Sequence, residues 1–124
     1  MPSVKAAAAY FTIVFAIGFV LGTFRVLLVI PAFGPLTATL LELPLILAAS
    51  WFVAGWVIAL FGIPPIAAGR LIMGALAFIL LMVGEILLGL SFGRSLAIQW
   101  ADIQTPAGLA GLAGQIAFGL MPLL

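Results

Sequence analysis

Gly18-Phe-Val-Leu-Gly-Thr-Phe-Arg25-Val-Leu-Leu-Val-Ile-Pro31-Ala-Phe-Gly-Pro35-Leu-Thr-Ala-Thr-Leu-Leu-Glu42-Leu-Pro44 decides the fold. It holds two apolar runs, each with a single charge, separated by a short break with a proline at either end. Upstream, apolar residues reach back to Ala6; downstream they continue to Phe61. A bilayer core about 30 Å thick needs about 20 apolar residues of helix, so each run is long enough to cross it. Proline has no backbone N–H and disfavours helix in the residue before it, so the first helix is expected to stop at Pro31. A link this short makes the two helices antiparallel neighbours.

The rest of the chain repeats this pattern. It has 124 residues, 67% hydrophobic and only 6% charged, with a mean hydropathy of +1.50. A soluble domain is about 25% charged and leaves roughly a third of its surface wet, so this much apolar surface calls for lipid as the solvent. A third apolar run begins at Pro65 and ends near Ser91. A fourth follows Thr105-Pro106, a helix N-cap and first-turn pair, and runs to about Leu123. The expected architecture is all-α: one transmembrane domain with spans at about 6–30, 36–61, 65–91 and 106–123 in an antiparallel bundle. The short link after Phe61 predicts that spans two and three are also neighbours. Residues 92–104 mix Leu96, Ile98, Trp100 and Ile103 with polar side chains, as expected of a segment lying in the membrane interface. Strands are not expected, because the apolar runs are long and lack period-two alternation.

Composition also excludes function classes. The chain has no Cys and no His, so it offers no thiolate or imidazole metal site, no cysteine nucleophile and no histidine base. No metal or cofactor is expected. A net charge of +1 provides neither the basic stripe of a nucleic-acid binder nor a polybasic segment for anionic lipid. The apolar stretch after Lys5 exceeds the roughly 7–15 residues of a cleavable signal, and no small-residue cleavage site follows, so it is expected to remain as the first span. The chain stops at Leu124 without a flanking charge, which leaves room for a short further tail.

Ionisable residues within spans are costly, so their positions are informative. Arg25 lies six residues before Pro31, Glu42 seven after Pro35 and Glu85 six before Ser91, each about 9–10 Å below the same membrane face at 1.5 Å per residue. Gln115 is about 15 Å below it. These four are expected to converge as a buried polar cluster, serving as a structural staple or as an ion or proton site. One cation against two anions leaves a negative charge over. Arg70 is about 22 Å from Glu85 along its helix, too far to pair with it, and is placed to reach the opposite headgroups. With Arg94 and Trp100 it is expected to anchor the interfaces. Pro44 frees the Leu40 carbonyl and predicts a kink beside Glu42, with Arg25 a candidate donor to that carbonyl. Gly18, Gly22, Gly74, Gly89, Gly108, Gly111 and Gly119 share helix faces with the polar residues and are expected at helix contacts.

The stretches Gly18 to Leu27, Leu41 to Pro44, Arg70 to Gly74, Phe92 to Leu96 and Thr105 to Leu109 resemble a group of small four-span proteobacterial inner-membrane proteins of unassigned function. The resemblance covers nearly the whole chain and implies a bacterial inner (cytoplasmic) membrane location. Small multidrug-resistance exporters share the size but carry an acid in their first helix, where this chain has Arg25. Fluoride channels share Gly and Arg residues in the first helix, but at another spacing, and this chain has no Asn. Lys5, the α-amino group and Arg70 on one face against Arg25 and Arg94 on the other slightly favour both termini in the cytoplasm. The expected function is a non-catalytic accessory or assembly subunit, meeting lipid and a membrane-protein partner or a second copy of itself. The alternative is a small homo-oligomeric transporter or channel that couples protons or ions through Glu42, Glu85 and Arg25.

Overall fold

A computed structural model describes residues 2–64 and 66–123. Nearly all of them are helical, and no strand occurs among them. Helix α1 (Pro2–Phe24) continues through a π-helical turn (Arg25–Val29) into the short α2 (Ile30–Phe33). Then come α3 (Pro35–Phe61), α4 (Ala67–Ser91), the eight-residue α5 (Leu96–Ile103), α6 (Pro106–Leu120) and a closing 3-10 turn (Met121–Leu123). Val4–Phe33, α3, α4 and Pro106–Leu123 are each long and apolar enough to cross a membrane. The protein is a multi-pass helical bundle whose outer faces suit contact with lipid.

The first helix does not stop at Pro31. The ring of Pro31 would press on the Leu27 carbonyl one α-turn earlier, and that carbonyl lies inside the π turn. The wider turn, closed by the Ile30 N–H donating to the Arg25 carbonyl, relieves this clash and carries the helix on to Phe33. The break then shrinks to Gly34, at φ +86°, a conformation that glycine adopts without a Cβ penalty. Pro35 starts α3 at once, which forces α1 and α3 together. At the other end of α3, left-handed Gly62 forms the cap, with the N–H groups of Gly62 and Ile63 both donating to the Ile58 carbonyl. α3 remains helical through Pro44. The expected start of the third span at Pro65 lies outside the described residues, and α4 begins at Ala67. Thr105 caps α6 by accepting from the Gly108 N–H at 3.1 Å, with Pro106 in the first turn as expected.

The helices form a ring in the order α1, α3, α6, α4. One expectation is overturned here. No Cα of α3 comes within 8 Å of a Cα of α4, so these helices occupy opposite corners although five residues join them. Packed helices lie 8–10 Å apart, so opposite corners are roughly 11–14 Å apart. Extended chain gains about 3.3 Å per residue, so residues 62–66 are long enough for the crossing.

The core is not evenly distributed along the ring. We call the end where α1 begins the near end and the Gly34 end the far end. Ala6, Tyr10, Val14, Val57, Met73, Ala77 and Phe118 are buried together toward the near end, with Ile63 beneath them. The Tyr10 and Phe118 rings stack with centroids 4.3 Å apart, and the Tyr10 hydroxyl donates to the Phe118 carbonyl at 2.7 Å. Beside them α4 crosses α6 backbone to backbone: a Cβ on Gly74 would overlap the Gly119 carbonyl. Toward the far end no residue of 15–33, 82–95 or 106–117 is fully buried; Ala38 and Thr39 of α3 are.

Candidate functional site: two polar pairs at the far end

The π turn sets Arg25 at its first position, facing α3, and Glu42 lies two turns into α3 on the facing side. Arg25 Nη1 stands 2.9 Å from Glu42 Oε2, with the arginine side chain 34% exposed and the glutamate 15%. This is a charge contact rather than an aligned hydrogen bond, because Glu42 Oε2 and Arg25 Nε are both buried without a hydrogen-bond partner. The guanidinium therefore goes to Glu42 and makes no hydrogen bond to the Leu40 carbonyl.

Glu85 on α4 and Gln115 on α6 form the second pair, with Gln115 Nε2 donating to Glu85 Oε2. Glu85 is exposed and Gln115 half-buried. Neither Arg25 nor Glu42 is hydrogen-bonded or ion-paired to Glu85. The structure thus divides the expected cluster into two pairs. One ties α1 to α3, the other α4 to α6, and these are opposite sides of the ring. Glu85 is the carboxylate left without a cation.

The expected interface residues fall at the two ends. Arg94 ion-pairs with Asp102 across the α4–α5 turn, both side chains about half exposed. Trp100 points outward on α5, 66% exposed, and α5 is N-capped by Ser95, whose hydroxyl accepts from the Ile98 N–H at 3.2 Å. A cavity of about 280 Å³ lies between α5 and Ile86 of α4, lined by Leu96, Gln99, Trp100 and Ile103. Arg70, at the near end, is half-buried; its Nε is buried without an acceptor.

The glycines divide in the same way. Gly74 and Gly119 meet at the near-end crossing. A Cβ on Gly108 would overlap the Asp102 carbonyl where α5 turns into α6, and one on Gly89 would press on the Gln99 side chain at 2.7 Å. At Gly18 it would meet Ile46 Cδ1, and at Gly22 Arg25 Nη2, each at an ordinary 3.7 Å, and at Gly111 it would meet nothing within 4 Å. Gly18, Gly22 and Gly111 are therefore not places where helix backbones touch.

Sequence reasoning passed over Tyr10 and Gly84. Tyr10 is the only tyrosine in the chain and lies inside an apolar run, which was a usable signal. Gly84 receives the edges of Phe11 and Phe15 at 3.2–3.3 Å from its Cβ position, a contact no spacing rule picks out. Among the described residues no group of three or more Asp, Glu, Cys or His is placed to hold a metal. No protein-family model, curated protein or solved structure matches the chain.

Proposed function

We propose that this chain is a non-catalytic subunit or assembly factor of a larger complex in a bacterial inner membrane. It docks through the far-end face where α4 meets α6. The observation that carries this reading is the exposed carboxylate of Glu85, held by Gln115 rather than by a cation, inside a span. A carboxylate at that depth is expensive against acyl chains, and a protein surface that offers it donors removes the cost. The apolar side chains exposed on every spanning helix suit such packing. No catalytic role is assigned to any residue: the sequence holds no Cys or His, and Ser95 is occupied as the α5 cap.

The test is gentle extraction from native membranes followed by sizing. The chain should co-migrate with a partner of defined mass, and Glu85→Leu should release it. Migration of the wild-type chain as a lone monomer overturns the reading.

One observation favours a second reading, a homo-oligomeric transporter or channel. Glu85, inside a span, has no ion-pair partner among the described residues, as a site that takes up a proton or cation requires. Proton or cation flux through reconstituted vesicles should then disappear in Glu85→Gln and Glu42→Gln. Equal flux in all three proteins removes this alternative.

A further inference from the structure

Arg25 faces Glu42 and Arg94 faces Asp102, but Arg70 has no acidic partner among the described residues. Among the described residues no acidic side chain is within reach, because Glu42, Glu85 and Asp102, the only Asp and Glu residues in the sequence, all lie toward the far end. Arg70 sits in the first turn of α4 at the near end, and its Nε is out of contact with solvent yet donates to nothing. A buried guanidinium N–H without an acceptor is costly, and an arginine fork matches the oxygens of a phosphate.

The space beside it has a matching shape. A cavity of about 240 Å³ is lined by Arg70, by Met121 of the closing turn and by Trp51, Ala54, Gly55 and Ile58 of α3. Ile58 lies one turn from the near end of α3, and Trp51 seven residues deeper, about 10 Å further into the membrane at 1.5 Å per residue. Trp51 and Gly55 are exposed, so the groove opens to the outside of the bundle. It therefore has a cation at headgroup level and an apolar wall running inward from it. That polarity is the polarity of a phospholipid.

The geometry points to a binding site for an acidic phospholipid, with the phosphodiester on the Arg70 guanidinium and an acyl chain along Ile58, Gly55 and Trp51. With no acidic side chain at this end among the described residues to compensate it, the Arg70 charge favours a headgroup of net negative charge over a zwitterionic one. Gly55 supplies an independent handle. A Cβ there meets nothing within 4 Å, so Gly55→Leu adds bulk to the groove wall without altering the charge.

The experiment is thermal unfolding of the full chain in a neutral detergent, titrated with phosphatidylglycerol, with phosphatidylcholine of the same acyl chains, and with glycerol 3-phosphate. Phosphatidylglycerol should raise the wild-type Tm saturably, with phosphatidylcholine giving a clearly smaller shift and glycerol 3-phosphate none. In Arg70→Gln and in Gly55→Leu the apparent affinity for phosphatidylglycerol should fall about tenfold or more, the scale of one lost charge-assisted hydrogen bond. Arg94→Gln, at the other end, should respond like wild type. Equal shifts from the two lipids overturn the proposal, and so does an undiminished response in Gly55→Leu, which decides the matter should Arg70→Gln fail to fold. A glycerol 3-phosphate shift matching that of the lipid assigns the groove to a soluble phosphate and overturns the lipid.

Discussion

The near and far halves of this bundle are built from the same helices but are held together differently. In the near half, Tyr10, Met73, Val57 and Phe118 are buried, and α4 touches α6 through two glycines. In the far half little is fully buried, and two polar pairs, Arg25–Glu42 and Glu85–Gln115, join neighbouring helices. In lipid there is no hydrophobic drive for helices to associate, so contact must come from close packing of small residues or from polar groups that hydrocarbon refuses. The near half uses the first means and the far half the second. This difference places candidate function at the far end, where polar groups are not locked under packing.

Substitutions can break or sharpen this contrast. The largest effect is expected for Gly74→Leu, whose side chain would run into the Gly119 carbonyl; a loss of at least about 4 kcal/mol, read as failure to hold the native fold in a denaturant titration in micelles, is the expected outcome. Tyr10→Ala empties a fully buried ring site and removes a 2.7 Å hydrogen bond, so about 3 kcal/mol should be lost in the same assay. Glu42→Gln leaves Arg25 facing a neutral amide. A cost of about 2 kcal/mol is expected, below that of a fully buried pair because the arginine side chain is one-third exposed. Glu85→Gln keeps an oxygen for Gln115 and should cost less than about 1 kcal/mol. Gly111→Ala, opening into empty space, should stay within about 0.5 kcal/mol of wild type. A far-half substitution that costs more than Tyr10→Ala would dissolve the distinction between the halves.

Much of the fold was legible in the sequence because a bilayer demands it. Apolar runs of this length admit little besides spanning helices, and Thr105-Pro106 marks the start of α6 as its chemistry requires. The Pro31 boundary misled because a proline can be absorbed by a π turn, and only the packed helix shows whether it is. The neighbour rule failed at residues 62–66 because five residues are already enough chain to cross a diagonal of the ring. Depth along each helix put Arg25, Glu42 and Glu85 at one level with Gln115 deeper, and named no pairs; the packed helices join Arg25 to Glu42 and Glu85 to Gln115. Rotation about each helix axis kept the two pairs apart, and depth counting carries no information on rotation. Arg70's groove was invisible for the same reason: it depends on how α3 turns Trp51, Gly55 and Ile58 toward the closing turn.

The diagonal placement of α3 and α4 bears on how the chain is made. Each polar pair joins spans that leave the ribosome one after the other, so the first clamp can close before the second half is synthesised. A polypeptide severed between Pro64 and Ile66 breaks neither clamp and no direct contact between α3 and α4. Two co-expressed fragments should therefore find each other again in the bilayer through the packing of α1 on α4 and of α3 on α6.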